Sequence, residues 1–406
     1  MKETRYEQNL KVDERDTMFS RMALEVGSKE YKYYYSKNPD EQAFDDEIRL
    51  KPQLCSEGTA TYNPILSKIA DSNFCYLSHI RALSEGVPNP EITQIDTEYA
   101  TELLSELALH YGAVKVGIVK MKDKYLYSHR GRHKETYGDE VHCDHEYAIV
   151  FAVEMEKEVM NRAPQVAVVM ESSKAYIDAA TIGMELSYYL RELGYEARNH
   201  MDGNYLVHCV SMAYEAGIGE VGRNGIIATL EHGSRVRIGV VTTNLELIPT
   251  GIKEYGLKDL CLQCRKCIRT CPGKAISPED DIRTWRTNQQ NCYNRWRSLG
   301  TDCGICISTC PLSQDSSFDL FKDEIETDIA EISLNEKTDV SVIDIMNSNS
   351  NSNSNSNSNS SNNLKTMNDF WLTQDRITRI VSHFEETYGI RPYNKEPWPP
   401  KNDELK

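Results

Sequence analysis

The spacing of the cysteines constrains this chain more than any other feature. The sequence contains 12 cysteines, and eight of them lie between residues 261 and 310. The first group follows the pattern C-x2-C-x2-C-x3-C-P and comprises Cys261, Cys264, Cys267 and Cys271. The second group ends in C-x2-C-x3-C-P, has one further cysteine upstream, and comprises Cys292, Cys303, Cys306 and Cys310. Such clustering indicates a metal-binding module within a larger chain.

The offsets within each group are those of a pair of 4Fe–4S clusters. Three thiolates in one tight loop can each bind a different iron of a cubic cluster, and the fourth begins the next helix and binds the other cluster. One predicted ligand set is therefore Cys261, Cys264, Cys267 and Cys310. The other is Cys271, Cys292, Cys303 and Cys306, in which Cys292 alone departs from the compact spacing. Two zinc sites are the alternative, but zinc requires neither these offsets nor the repeated Cys-Pro.

Charge and length limit the partners of the chain. The 406 residues carry 62 acidic against 46 basic side chains, a net charge of −16. Such a surface repels nucleic acid and anionic lipid, and it fits a small neutral substrate or a positively charged redox partner. The first thirty residues are charged throughout and show neither a signal peptide nor a twin-arginine pair. We expect a cytoplasmic protein, or an exported or membrane-associated one if a leader precedes this sequence.

Alternating strand and helix patterns predict an α/β core. The predicted strands cover 114–118, 147–154, 166–170 and 236–243. The predicted helices cover 97–111, 176–193, 207–216 and 369–388. The tyrosines at 31 and 33–35 are interpreted as surface packing.

Four regions follow from these patterns. They are an N-terminal covering region (1–95), the core (96–250), the cysteine module (251–318) and a C-terminal extension (319–406). The extension includes 347–363, which is almost pure Asn and Ser and has no apolar residue to bury, so it is predicted to be a disordered linker.

One glycine pattern is misleading. Gly217, Gly219 and Gly222 match the dinucleotide fingerprint G-x-G-x-x-G. The fingerprint requires a preceding strand, whereas here a predicted helix precedes it. We interpret it as a tight turn, which could also let a flat cofactor lie close to the backbone.

Several segments together resemble the corrinoid-dependent reductive dehalogenases. They are FDDEIR (44–49), YLYSHRGRH (125–133), YIDAATIGMELSYYLRELGY (176–195), ARNHMDGNY (197–205), AGIGEVGRNG (216–225) and HGSRVRIGVVTTNLEL (232–247). The resemblance implies a nitroreductase-like corrinoid-binding core followed by a ferredoxin-like module with two 4Fe–4S clusters. It also implies a base-off cobalamin or related corrinoid, and removal of halogen from an organohalide. Electrons would come from a ferredoxin, a flavodoxin or a membrane redox chain.

The same resemblance assigns three catalytic positions. The proton-donating tyrosine falls on Tyr176, and the pocket asparagine on Asn204 with Asn199 as the alternative. The basic residue falls on Arg237, with Arg235 as the alternative. A phenol is a poor acid at neutral pH unless a cation stabilises the phenolate, which an arginine can do. Tyr176 shares a helical face with small residues that would let a planar body approach.

Two other functions compete with this one. Epoxyqueuosine reductases share the corrinoid and the two clusters but act on transfer RNA, which calls for a basic face and an aspartate in place of Tyr176. A plain electron carrier would not need the long α/β region before the cysteines. Two features also depart from the dehalogenase family: the missing twin-arginine leader, which puts export and a respiratory role in doubt, and the Asn/Ser tract.

Overall fold

The structure is a computed structural model that describes residues 11–281, 285–314 and 374–388. The Asn/Ser tract (347–363) and the first residues of the predicted C-terminal helix (369–373) lie outside the described residues. Among the residues that are described, no helix combines the length and the apolar character needed to cross a membrane.

A four-stranded antiparallel sheet with the order β1-β2-β6-β3 forms the centre of the core. Its strands are β1 (Lys115–Lys120), β2 (Tyr147–Glu154), β3 (Ala197–His200) and β6 (Val236–Thr243). The central strands β2 and β6 pair over their full length, from Tyr147 opposite Thr243 to Glu154 opposite Val236. Both coincide with the predicted strands because they are continuous apolar runs rich in β-branched residues, which suit a sheet covered on both faces.

Helices cover both faces of this sheet. Helix α5 (Thr97–His110) and the long helix α7 (Ala167–Glu192) pack on one face, where Ile149 and Phe151 of β2 are fully buried. Helix α8 (Cys209–Glu215) packs on the other face, against Val150. The layered α/β arrangement expected from the sequence is confirmed.

One strand prediction is wrong. Residues 166–170 do not form a strand. Residues 167–170 are the first residues of α7, and Val166 before them already has helical backbone angles. The run is apolar on every side because it is buried among three neighbours: Val168 packs against Leu299 and Ile305 of the cysteine module, and Val166 packs against Ala70. A short apolar run of this kind cannot be distinguished from a buried helix turn by periodicity.

The N-terminal region is helical and contains its own small core. Its helices are α1 (Met18–Ala23), α2 (Lys29–Lys37), α3 (Pro39–Arg49) and α4 (Ser67–Ile80). The interpretation of the tyrosines as surface packing is wrong for Tyr31, Tyr34 and Tyr35, which are buried together. The Tyr31 and Tyr35 hydroxyls donate to Asp46 and Asp45 of α3, each at 2.7 Å, and the Tyr34 hydroxyl donates to Asp16 at 3.2 Å.

The cysteine module is built from short helices. They are α9 (Leu257–Cys264), α10 (Lys266–Thr270), α11 (Gln289–Leu299), α12 (Ile305–Ser308) and α13 (Pro311–Gln314). The remaining elements are α6 (Lys157–Met160), the two-stranded sheet of β4 (Glu220–Val221) and β5 (Ile227–Ala228), and α14 (Gln374–Tyr388). Ile377 and Ile380 of α14 are buried against Leu257 and Leu260 of α9, so this part of the C-terminal extension covers the cysteine module.

Candidate cluster sites and catalytic pocket

The eight cysteines line two neighbouring cavities. Cys261, Cys264, Cys267 and Cys310 line the first, together with Cys306. Cys271, Cys292, Cys303 and Cys306 line the second. These are the two sets that the spacing predicts, here called the first and second cysteine sets.

Electrostatic coupling groups the thiols in the same way. Burial raises the pKa of Cys267, the neighbouring thiols of Cys310 and Cys264 add to the rise, and together they bring it to about 12. Burial likewise raises the pKa of Cys292 to about 12, with Cys303 and Cys271 as its coupled neighbours. Thiols that resist ionisation alone become thiolates when a cationic metal centre lies among them.

The two sets are adjacent, and the cavity of the second set extends to Arg237 on the central sheet. Cys306 of the second set is electrostatically coupled to Cys267 of the first. The second cavity, of about 230 Å³, is also lined by Ser172 of α7, Arg237 of β6 and Asp302. The second set therefore lies between the first set and the candidate catalytic side chains.

Tyr176 and Arg237 are in direct contact. Helix α7 and strand β6 pack together, and the Arg237 guanidinium carbon lies 3.9 Å from the centroid of the Tyr176 ring. Arg237 Nη2 also donates to Ser172 Oγ at 2.8 Å, whereas its buried Nε has no partner among the described residues. Burial raises the pKa of Tyr176, and the positive charge of Arg237 opposes that rise.

The sequence analysis missed two further members of this pocket, Asp202 and Tyr205. Burial raises the pKa of Tyr205 well above its ordinary value, and Cys209, Tyr176 and Asp202 add to the rise. Both Tyr176 and Tyr205 retain accessible surface despite this burial, as side chains do when they line a cavity. Both residues belong to the turn ARNHMDGNY (197–205), in which an asparagine is the predicted pocket residue.

Asn204, predicted as the pocket asparagine, and the alternatives Asn199 and Arg235 each have hydrogen-bond or ion-pair partners. Asn204 Oδ1 accepts hydrogen bonds from Arg130 at 3.0 Å and from Arg198 at 2.9 Å. Asn199 Nδ2 donates to the Ala180 carbonyl at 3.0 Å, beneath helix α7. Arg235 pairs with Glu154 at 2.6 Å. Of the two candidate arginines, the structure brings Arg237 against Tyr176.

The small residues on the Tyr176 helix do not open a space beneath it. A Cβ atom added at Gly183 would lie 2.1 Å from Asn199 Oδ1, so this glycine allows β3 to approach α7 closely. Ala180 is buried with Leu77 and Met201. The expectation that these residues admit a planar cofactor is therefore wrong for Gly183 and Ala180: they face protein.

The glycine-rich segment has the turn geometry expected of a false dinucleotide match. It follows helix α8, and Gly217 has φ +67°. A Cβ at Gly219 would meet the Ala228 carbonyl oxygen, and one at Gly222 would lie 3.9 Å from the Cys261 sulfur. The segment thus wraps around the first cysteine set.

Comparison with known proteins supports this picture. A family model described as a 4Fe-4S dicluster domain matches residues 260–313. The tetrachloroethene reductive dehalogenase of Desulfitobacterium hafniense is 33% identical over 178 residues, which are 40% of this chain and 32% of that protein. That of Sulfurospirillum multivorans is 30% identical over 181 residues, 42% of this chain and 36% of that protein. The chain thus spans about a third of the length of these relatives.

More distant and structural relatives agree. An epoxyqueuosine reductase of Lactococcus garvieae is 28% identical over 120 residues, 26% of this chain and 32% of that protein. A solved variant of the catabolic reductive dehalogenase NpRdhA superimposes with a TM-score of 0.60 at 24% identity, over 76% of this chain and 42% of that chain. This likeness establishes the fold. The chain therefore has the fold of the reductive dehalogenases, is similar in sequence to two of them over about two fifths of its length, and carries a ferredoxin-like 4Fe-4S dicluster domain.

Proposed function

We propose that this protein is an oxidoreductase that removes halogen reductively from an organohalide. In this reaction the carbon–halogen bond breaks, a carbon–hydrogen bond forms, and two electrons and one proton are consumed as halide leaves. The contact between Tyr176 and Arg237, beside a cavity shared with the second cysteine set, carries the proposal because it joins a proton source to an electron path.

The cysteines would hold two 4Fe–4S clusters. The first set would bind one with Cys261, Cys264, Cys267 and Cys310, and the second would bind the other with Cys271, Cys292, Cys303 and Cys306. Such clusters carry one electron each and exchange it with neighbours over short distances. Cys306 lines both cavities, so the two clusters would be neighbours, which supports electron transfer from the first to the second.

The residues present fit a corrinoid near Arg237. The second cluster would occupy the second cavity, and a corrinoid would lie beside it, where apolar Val168 and Val236 and the buried Arg237 Nε, which has no partner among the described residues, would suit such a group. When bound, a corrinoid supplies a strongly reducing cobalt centre for breaking the carbon–halogen bond. Both ring nitrogens of His200 are engaged, Nε2 with Thr242 Oγ1 at 2.9 Å and Nδ1 with the Leu206 N–H at 3.2 Å, so this histidine would not be available as a cobalt ligand.

Tyr176 would deliver the proton. Its raised pKa keeps the hydroxyl protonated through neutral pH. A carbon that has taken up two electrons and released halide has carbanion character, and it is a far stronger base than a phenolate. Arg237 would stabilise the phenolate that remains, and Ser172 holds the guanidinium in place at 2.8 Å. Arginine cannot lose its own proton, so the acid in this pair is the tyrosine.

An epoxyqueuosine reductase remains the second candidate, supported by sequence relatives of that name. A net charge of −16 disfavours binding of transfer RNA, and Tyr176 stands where that family's acid would be an aspartate. An electron carrier without a site of its own is the third, and a cobalamin-binding assay separates it from the other two.

The deciding experiment is anaerobic reconstitution of the full chain with iron, sulfide and cobalamin, followed by measurement of halide released from a panel of aromatic and aliphatic organohalides. The proposal expects cobalamin-dependent halide release with at least one of them. Corrinoid uptake with conversion of epoxyqueuosine in transfer RNA, and no halide from any panel member, would replace it with the second candidate.

A further inference from the structure

Arg223, in the glycine-rich turn, is locked beside the first cysteine set. It is 1% exposed. Its Nε donates to the Cys261 carbonyl at 3.2 Å and its Nη1 to the Glu279 carbonyl at 2.7 Å. Its Nη2 donates to Asp280 Oδ1 at 2.7 Å, and the guanidinium lies 4.6 Å from the centroid of the Trp285 ring. The side chain is therefore fixed by contacts on several sides.

The same residue acts on two thiols of the first set. The backbone N–H of Arg223 hydrogen-bonds the Cys261 thiol. Arg223 also lines the first cavity together with Cys267, so its charge lies beside a second cysteine of this set. An arginine stays protonated wherever the protein is folded, so its charge is permanent.

Backbone hydrogen bonds do not distinguish the two sets. The Ala275 N–H donates to Cys271 at 3.3 Å and the Ile305 N–H bonds to Cys303, both in the second set. The difference lies in how deeply the guanidinium is buried. Arg223 is almost fully buried, whereas Arg237 and Arg295, which line the second cavity, are only partly buried and share that cavity with the carboxyl of Asp302.

We propose that Arg223 raises the reduction potential of the first 4Fe–4S cluster and so makes it a better acceptor for incoming electrons. Reduction makes the cluster more negative by one charge. A buried positive charge stabilises the reduced form more than the oxidised form, and net charge and hydrogen bonds to sulfur are known determinants of cluster potential. Arg223 acts on the first cluster through its cysteine ligands, so it is a positioning residue and not a catalytic one. The inference rests on the proposed assignment of cysteines to clusters.

The test is a redox titration of the cluster-loaded full chain, followed by electron paramagnetic resonance. Arg223→Gln should lower the midpoint potential of the first cluster and leave that of the second unchanged, and Arg223→Lys should restore most of the loss. Asp280→Asn removes the exposed carboxylate that partly neutralises Arg223, so it should shift the same midpoint upward. Cys264→Ala, which removes a ligand from the first set alone, assigns the signals.

Arg191→Gln is the matched control, because this buried arginine donates to the Ser84 and Ala197 carbonyls and to no cysteine. It should move neither midpoint. Equal iron content with an unchanged first midpoint in Arg223→Gln would overturn the inference. If that variant does not load iron, Asp280→Asn decides, and an absent upward shift overturns it. Wild-type protein without clusters would refute the proposed function instead, so the two failures are distinguishable.

Discussion

Burial and charge act in opposite directions on Tyr176. Burial raises its pKa, which keeps the proton on the hydroxyl, and the guanidinium of Arg237 lowers it, which eases departure of the proton. The guanidinium carbon lies 3.9 Å from the ring centroid, within the range at which a cation and an aromatic face attract each other. The tyrosine thus stays protonated at rest, yet its conjugate base has a fixed counter-charge.

Replacing the phenol isolates its role as proton donor. We expect Tyr176→Phe to retain both clusters and cobalamin but to lose turnover by roughly 100-fold or more, because general acids contribute about that much to a rate. Steady-state halide release, with iron and corrin content measured on the same sample, checks this. Turnover equal to wild type would remove Tyr176 from the mechanism.

Removing the cation should change both rate and pH dependence. Without the charge of Arg237, the pKa of Tyr176 rises further, so the loss of activity at alkaline pH should move to higher pH. The rate should fall about 10- to 100-fold in Arg237→Gln because the phenolate is no longer stabilised. Arg237→Lys should recover part of the rate. An alkaline limb that stays in place in Arg237→Gln would contradict this account.

The residue-level predictions reached Tyr176 and the arginine in contact with it, but not the whole pocket. Asp202 and Tyr205 belong to it through the fold of the turn after β3, which no spacing rule specifies. Asn204, which the resemblance suggested, accepts hydrogen bonds from Arg130 and Arg198 and stays a prediction. Which side of a short turn faces a cavity depends on tertiary packing, and sequence alone does not contain that information.

At the scale of elements, the central sheet was predictable and the start of α7 was not. Strands β2 and β6 have the predicted bounds because β-branched residues fill both faces of a covered sheet. Residues 166–170 have the sequence pattern of a strand because tertiary neighbours bury them on every side, which removes the helical periodicity. Local pattern fails where several elements bury one segment together.

Glu154 ties the end of β2 to the segment before β6, and its contribution depends on pH. A hydrogen bond from His232 and then one from Arg235 lower the pKa of Glu154 to about 2. A depressed carboxyl pKa stabilises the fold above the unfolded-state value of about 4.5, and this stabilisation is lost as pH falls toward 2.

We therefore expect Glu154→Gln to cost about 1 kcal/mol near neutral pH, a modest value because this pair is partly exposed. Urea unfolding at a series of pH values should show that the difference in unfolding free energy between wild type and Glu154→Gln disappears below the unfolded-state pKa. Exposed Glu146→Gln serves as the control. A difference in unfolding free energy that stays constant down to acid pH would mean that the variant acts through side-chain packing and not through charge.

At the scale of the whole molecule, helix α14, the two cysteine sets and Arg237 follow one another in space. Helix α14 packs on α9, which carries part of the first cysteine set, and the second set follows and opens toward Arg237. The membership of each cysteine set followed from spacing, because covalent geometry limits how far a loop can reach. The position of α14 over the first set required the structure, since a long undescribed segment separates the two in sequence.

The packing of α14 should protect the first cluster. Ile380 is 1% exposed, and a charge there would be buried without a partner, so Ile380→Asp should detach the helix. We expect the visible absorbance of the loaded protein to bleach several-fold faster in air than in wild type. Thr378→Asp, on the exposed face of the same helix, should bleach at the wild-type rate. Equal rates for both variants and wild type would show that α14 gives no protection.

A single-turnover experiment tests the central claim most directly. Protein loaded with clusters and cobalamin is reduced, freed of reductant, and mixed anaerobically with an organohalide that it turns over, while cluster oxidation and halide are measured together. The account predicts one halide for every two electrons lost by the protein. Clusters that remain reduced while no halide forms would contradict it, as would halide formed without any cluster oxidation.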